Sequence, residues 1–503
     1  MKAIRSSPEN DARRIMKVMM DGTEPQPLLS DYDASGYYCE LFGTSNRPAE
    51  HNAGLIERLQ GMSTEELVRR ARAAERELFN LGITFTVYSE SDAIDRILPF
   101  DVIPRVLSAA DWDHLERGVV QRVTALNLFL KDIYGDQKIL KDGVVPAELI
   151  FGNKNFCQQM VGVKVAHDTY VHVCGVDLVR DEAGEFLVLE DNGRCPSGVS
   201  YVVENRHMMQ RTFADLMSGV GIRPVGNYGQ MLLEACADIA PADIQDPSVV
   251  LLSPGTYNSA YFEHIFLARE MGVPLVEGRD LIVENDRVYM RTISGLQPVH
   301  TIYRRIDDDF LDPEVFRPDS MLGVPGLMRA YRAGNVGLAN AVGTGVADDK
   351  AVYAYMPRII KYYLDEDPIL NNVETHICRE PEGLRYTLEN LSKLVVKPVG
   401  ESGGYGVIIG PRATLEELAD IRAKLLDDPA NFISQPMVKL SVCPTLIEQA
   451  LEPRHVDLRP FAVTGSKTWV LPGGLSRVAM KRGSLVVNSS QGGGSKDTWV
   501  LES

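Results

Sequence analysis

Stretches of helical and of strand periodicity follow one another along the chain in an order that divides it into four regions. Residues 1–80 are polar. Within them, TSNRPAEHNAGLIERL and STEELVRRARAAERELFNLG set apolar residues at helical spacing behind Ser or Thr caps, predicting a helical N-terminal segment. From 81 to 247, helical patterns surround a hairpin: the strand-like DTYVHVCGVDLVR, the turn-like DEAGE, and then FLVLEDN. The pattern changes between 248 and 345. There SVVLLSPGTYNSAYFEHIFLAREMGVPLVEG reads as strand, glycine-containing loop, helix and strand, the unit of a parallel α/β sheet. LIVENDRVYMR follows as a hairpin turning at Asn285-Asp286, and VHTIYRRI as a further strand. From 346 to 503, helices are mixed with the short strands LVVKPV, GVIIG, FISQPM, DLRPFAV, TWVLPGG and SLVVN. The fold class read from this order is α/β, with α+β lobes.

Length and composition narrow the class further. At 503 residues the chain exceeds one ordinary core, so two or three lobes are expected. Hydrophobic and charged fractions of 45% and 24% are those of a globular protein. A net charge of −17 argues against a general nucleic-acid or anionic-membrane binder. The seven cysteines are scattered with no CxxC pair, which fits reduced thiols in a cytoplasmic enzyme. The first residues, MKAIRSSPENDARRIMKVMMDG, lack the apolar core of a signal peptide, and no apolar run approaches a membrane span. A soluble, cytoplasmic protein is expected.

Two constellations carry chemistry. In VVKPVGESGGYGVIIG, Lys397 ends an apolar strand and a glycine-rich loop follows at 400–406. Glycines let backbone N–H groups turn toward an anion, and a lysine adds a point charge. The lysine precedes the glycines, so this is not a Walker A loop, and the glycine spacing is not that of the dinucleotide fingerprint. On its own the stretch reads first as a hairpin turn. In LVLEDNGRCPSGVSYVVENR, Glu190 and Asn192 stand two apart at the end of a strand, sharing a face from which Asp191 points away. A carboxylate and an amide oxygen on one face suit Mg2+, which prefers oxygen ligands. The hairpin brings Asp177 near Glu190, and the register decides whether they share a face. Solvated hairpin carboxylates are the plain alternative for either residue alone.

Together these stretches resemble the ATP-grasp superfamily, in which a lysine and a glycine-rich flap hold phosphates and an Asp…Glu-x-Asn set holds magnesium. Most members have the lysine and flap first; here Glu190-x-Asn192 comes before Lys397. That inversion resembles the circularly permuted ATP-grasp proteins, among them the glutathionylspermidine synthetases. EDNGRCPSGVSYVVENR, YRRIDDDFLDP, GNVGLANAVGTGVADDKAVYAYMPRIIKYYL, HVDLRPFAV and NSSQGGGSKDTW are similar to a bacterial branch of that group, from about residue 80 onward.

The resemblance implies a permuted ATP-grasp fold whose first part is 81–247 and second part 346–503, with a Rossmann-like pre-ATP-grasp domain inserted at 248–345. It implies ATP and Mg2+ as cofactors and ATP-dependent carboxylate–amine ligation through an acyl phosphate. The partners would be a small carboxylic acid and an amine, peptides and polyamines included, and neither nucleic acid nor membrane. Lys350 and Lys397 resemble the nucleotide-contacting lysines, with Glu401, Ser402, Gly403, Gly404 and Gly406 in the flap. Gln435 corresponds to the strand facing the adenine edge. Asp177, Glu190 and Asn192 resemble the magnesium ligands. Arg477 resembles an arginine that contacts phosphates, with Arg459 in competition; Arg194 is a substrate-side candidate, as are Ser197, Arg304 and Arg305. One departure stands out: where the synthetases have an arginine two residues before the magnesium aspartate, this chain has Gly175. Residues 1–80 are too short for the amidase domain of the bifunctional synthetases, so Cys39 is not expected to be a nucleophile. A nucleotide-binding scaffold without turnover and a small-molecule phosphotransferase remain the alternatives to a ligase.

Overall fold

The structure is a computed structural model that describes residues 28–45, 47–88, 93–400, 406–484, 487 and 492–502. Its main sheet has ten strands drawn from distant parts of the chain. Val173–Arg180 and Phe186–Asn192 form an antiparallel hairpin, closed by the turn at 181–185. Ala450–Arg459 lies beside Val173–Arg180 on one side and Leu475–Val478 on the other. Gly494–Val500 then runs parallel to Phe100–Leu107. The early hairpin is thus completed by strands from near the end of the chain.

One face of this sheet is covered by the helix Ala109–Ile133. Ser108 starts it by accepting a hydrogen bond from the Asp111 N–H. Leu115, Val119, Val123, Leu126, Leu130 and Ile133 recur at helical spacing and are fully buried. Arg122, in the middle of that buried face, donates to both carboxylate oxygens of Asp191 at 2.6 and 2.8 Å. A buried guanidinium needs such a partner. Asp191 supplies it because strand alternation turns its side chain away from Glu190 and Asn192.

Residues 248–345 contain a four-stranded parallel sheet in the order Gly337–Ala339, Thr301–Arg304, Val249–Leu252, Leu275–Val276. A three-stranded antiparallel meander, Leu281–Glu284, Arg287–Thr292 and Gly295–Val299, is inserted into it. Asn285 and Asp286 make its two-residue turn with φ of 52° and 55°. That left-handed geometry suits the right-handed twist of the flanking strands.

A second antiparallel sheet carries Lys397, in the order His376–Ile377, Phe432–Pro436, Leu394–Pro398, Ile408–Ile409. Its back packs on Pro381–Asn390 and Leu415–Asp427 through Cys378, Val396, Ile421, Leu425 and Phe432. Thr414 and Glu417 form a reciprocal capping box at the start of the latter helix.

The N-terminal segment includes the helices Ala53–Gln60 and Thr64–Asn80, the second capped by Ser63. The turns before them are fastened to the main sheet. Glu40 N–H donates to the Val442 carbonyl, and its buried carboxylate accepts from Arg105, Arg180 and Ser441. No helix among the described residues is long and apolar enough to cross a membrane.

Candidate active site

The register of the early hairpin places Asp177 directly opposite Glu190, and Gly175 opposite Asn192. These four positions therefore share one face of the main sheet. Asp177 is buried and held by two arginines. Arg459 donates to it through Nε and, at 2.7 Å, through Nη2, while Arg477 Nη2 donates at 2.6 Å. Arg477 in turn reaches both oxygens of Asp457, its cross-strand neighbour, at 3.0 Å. Burial works against ionisation of Asp177, but the two guanidinium groups outweigh it and hold the carboxyl below the usual carboxylate range. The result is a near-neutral chain of alternating charges, Arg459, Asp177, Arg477 and Asp457.

Two lysines enter the same site from other elements. Lys350 opens the short helix Lys350–Ala354, whose N-terminus Asp349 caps by accepting from the Ala351 and Val352 N–H groups. Its Nζ is 3.7 Å from Glu190 Oε2. Lys397 lies on the cleft face of its strand with Gln435, to whose Oε1 it donates at 2.6 Å. Gln435 passes the contact on by donating to Thr375 Oγ1 at 2.9 Å. Burial lowers the pKa of Lys397 to about 8; Glu190 and Asp177 oppose the shift and Lys350 reinforces it. The hairpin carboxylates and the flap-side lysine, far apart in sequence, act on one another across one cleft.

The remaining candidates divide between cleft and scaffold. Arg194 is about one-third exposed, 3.6 Å from Asp307 and 3.8 Å from Asp348. Arg304 is fully buried and gives its donors to the carbonyls of Asn340, Ile306 and Ala341 and to Asp308. Arg305 is likewise engaged, with Pro196 O, Ser197 Oγ and Glu263. Arg305 fastens the parallel sheet to loop 193–198, while Arg304 ties its strand to the segments at 306–308 and 340–341. Gly406 has a φ of 69°, and a Cβ there would come within 2.9 Å of Pro398, so Gly406 itself lies close against the end of the Lys397 strand. Glu401, Ser402, Gly403 and Gly404 lie outside the described residues.

Gly175 has a spatial explanation. A Cβ at this position would meet Arg459 Cδ at 3.0 Å and Cγ at 3.3 Å, with Pro196 Cβ at 3.3 Å. The aliphatic part of Arg459 crosses the bare glycine and carries its guanidinium to Asp177 and, at 3.2 Å, to the Ser197 carbonyl.

Three participants escape a reading of the sequence. Asp457 stands two residues before Arg459 on the same strand face, a spacing that could have revealed it. Asp348 accepts the N–H groups of Gly193 and Arg194 at 2.6 and 3.1 Å, and burial pushes its carboxyl up to about 7. Lys154 comes near the glycine loop, its Nζ 3.4 Å from where a Cβ on Gly400 would lie. No local pattern marks either of the last two.

The donor set bears on magnesium. Glu190 and the carbonyl oxygen of Asn192 are hard oxygen donors on one face, and the Asn192 amide group donates to Gly175 O and Asp177 Oδ1. Both fit a divalent cation that also takes phosphate oxygens. Asp177 would join them by exchanging a guanidinium contact. Among the described residues there is no cluster of three or more His, Cys, Asp or Glu side chains able to hold a metal by themselves.

The family model for circularly permuted ATP-grasp type 2 proteins matches residues 104–479. The chain belongs to that family. ATP-grasp proteins generally bind ATP with Mg2+, and the permuted order explains why the strands beside the Asp177 hairpin come from the end of this chain. An uncharacterized protein of Synechocystis sp. is 52% identical over 475 residues, covering 94% of this chain and 99% of its own length. The Frankia alni protein named "Putative glutamate--cysteine ligase 2-3" is 43% identical over 475 residues, covering 94% of this chain and 54% of the relative. Among solved structures, a glutathione synthetase-like effector from Globodera pallida superposes with a TM-score of 0.57 at 10% identity, over 88% of this chain and 98% of the other. That last likeness is one of fold.

Proposed function

We propose that this circularly permuted ATP-grasp protein is an ATP- and Mg-dependent ligase that joins a small carboxylic acid to an amine through an acyl phosphate. The observation that carries the reading is the meeting of Lys350 with Glu190 at 3.7 Å, in the cleft that Lys397 also faces. Phosphoryl transfer needs positioned positive charge more than a protein nucleophile. Lys350 and Lys397 supply that charge for the phosphates of ATP. Glu190 and Asn192 would hold magnesium, which would supply charge neutralisation at the phosphates.

The carboxylate oxygen of the acid takes the γ-phosphoryl group and ADP leaves. The amine then attacks the acyl carbon, loses a proton and expels phosphate as the amide forms. Arg459 and Arg477 fix Asp177 and the floor of the cleft, while Arg194, the more exposed arginine, would receive the acid's charge. The relatedness to a protein named as a glutamate–cysteine ligase supports amino acids or peptides as the class of substrate.

The test is incubation of the purified protein with Mg-ATP and pools of amino acids, glutathione and polyamines. Release of ADP and phosphate that requires both an acid and an amine is the expected result. A phosphorylated small molecule would make the protein a phosphotransferase, and nucleotide binding without turnover would make it a scaffold.

A further inference from the structure

A groove of about 710 Å3 lies outside the contacts described above, between the N-terminal segment, the hairpin that ends in Ala450–Arg459 and the loop after Val478. Its size suits a short peptide or similar molecule. One end is basic. Arg412 follows the strand Ile408–Ile409, by which the chain returns from the glycine loop, and donates to the Gly483 carbonyl at 2.8 Å. Arg482 is the next residue along that loop. Both guanidinium groups are exposed, and neither has an ion-pair partner among the described residues. Two like charges that line one groove and carry no ion pair of their own among the described residues make a receptor for an anion.

The N-terminal segment contributes the opposite sign. Asp31 and Asp33 also line the groove; both are exposed, and Asp33 accepts only the local Ser35 N–H. They favour an ammonium group and disfavour a polyanion such as a second nucleotide. The groove includes His455, packed edge-on against Tyr37 with ring centres 4.7 Å apart. His455, Asp457 and Arg459 occupy alternate positions of one strand and so share a face. The groove therefore adjoins the sheet face that carries the Arg477–Asp457 pair and Asp177.

We infer that this groove binds a zwitterionic substrate, an amino acid or short peptide, with its carboxylate at Arg412 and Arg482 and its ammonium at Asp31 and Asp33. The assignment of this molecule as a reactant rests on the ligase reading; its binding does not. Arg412 ends the turn Gly410–Arg412, which directly follows the strand Ile408–Ile409 paired with the Lys397 strand, so the groove lies one turn from the sheet that carries Lys397.

The probes are L-glutamate, glycylglycine and glutathione, titrated into the full chain by ligand-observed NMR, each beside its N-acetylated form. Free amino compounds should bind, and acetylation should weaken them about tenfold. The double variant R412A/R482A should weaken them by a similar factor while Mg-ATP affinity stays within about twofold of the parent. Both replaced charges are exposed, and thermal unfolding of the double variant checks the fold. The inference is overturned if none of the three probes binds the parent protein, or if R412A/R482A binds them as the parent does. Mg-ATP binding in the same samples separates the two readings: an unmodified chain that binds the probes but not ATP fails as a ligase and keeps the groove.

Discussion

Lys350 and Glu190, contributed by a helix start and a hairpin strand that are remote in the chain, approach to 3.7 Å between Nζ and Oε2. Lys397 faces the same carboxylate, so one glutamate balances two lysines. Glu190→Gln removes that balance and the negative charge of a hard oxygen donor together. Binding of metal-free ATP should stay the same or tighten, while the enhancement by Mg2+ falls by about tenfold or more. Calorimetric titration with and without Mg2+ measures both. Unfolding of the variant with no change in the metal effect would make Glu190 a structural residue.

Lys397 should control the pH dependence of nucleotide binding. Its pKa is lowered to about 8, so the free protein loses this charge as pH rises through 8. ATP affinity should decline between pH 7.5 and 9.5, roughly the span around that value. Lys397→Ala should weaken ATP by about 10- to 100-fold at neutral pH, the worth of a charged hydrogen bond, and flatten the decline. An unchanged affinity would remove Lys397 from the phosphate site.

Gly175 and Arg459 should behave as one unit. Gly175→Arg forces a side chain into the space crossed by the Arg459 methylenes, and overpacking of this kind costs about 1–3 kcal/mol. Adding Arg459→Ala vacates that space, so the double variant should recover part of the lost stability. Denaturant midpoints of the two single variants and the double variant give the coupling directly. Additive losses would show that the two positions do not compete for one space.

Asp348 predicts a slope of stability with pH. Its folded pKa, about 7, lies above the usual value of a free carboxyl. The folded state therefore holds a proton that the unfolded chain gives up, and stability is greatest below pH 4 and falls as pH rises from about 4 to about 7 for this group. Asp348→Asn keeps an oxygen for the Gly193 and Arg194 N–H groups and removes the titration. The difference in melting temperature between variant and parent should grow in favour of the variant from pH 5 to pH 8, which differential scanning fluorimetry reads at about one-unit intervals.

Glu40 should prove as important to folding as a core residue. Its buried carboxylate faces Arg105 and Arg180 and takes a hydrogen bond from Ser441. Glu40→Ala leaves two guanidinium groups near the interior without it and should cost about 3–5 kcal/mol. Urea unfolding measures the loss. A change below 1 kcal/mol, about the worth of an exposed pair, would mean that the N-terminal segment is only loosely attached.

Much of the local structure was legible before any coordinates. Ser63 caps its helix because a side-chain oxygen can satisfy a free N–H within three residues, a relationship contained in a few letters. The Asn285-Asp286 turn and the Asp177–Glu190 hairpin are equally local. Strand alternation was enough to separate Asp191 from Glu190 and Asn192, and Asp191 does point into the opposite core, against Arg122. The permuted order of Glu190-x-Asn192 and Lys397 was sufficient to suggest the family to which the chain belongs.

Charge partners were another matter. Beside a run of aspartates, Arg304 and Arg305 read equally as substrate-side residues or as a structural charge cluster; burial turns most of their donors to backbone carbonyls and nearby side chains. Nothing in the letters around Asp177 shows that Arg459 and Arg477 take both its oxygens, because the three residues belong to three strands brought side by side only in the sheet. By itself, then, the sequence determined many of the described elements, the hairpin and the two constellations of the candidate site, since each depends on neighbours within a turn or a strand. The tertiary structure alone decided the register that put Asp177 opposite Glu190, the arginines that neutralise it, the crossing of Gly175 by Arg459 and the entry of Lys350 and Lys397 into one cleft. Those relationships depend on strand order and on the removal of charges from water, which act between residues the chain itself keeps far apart.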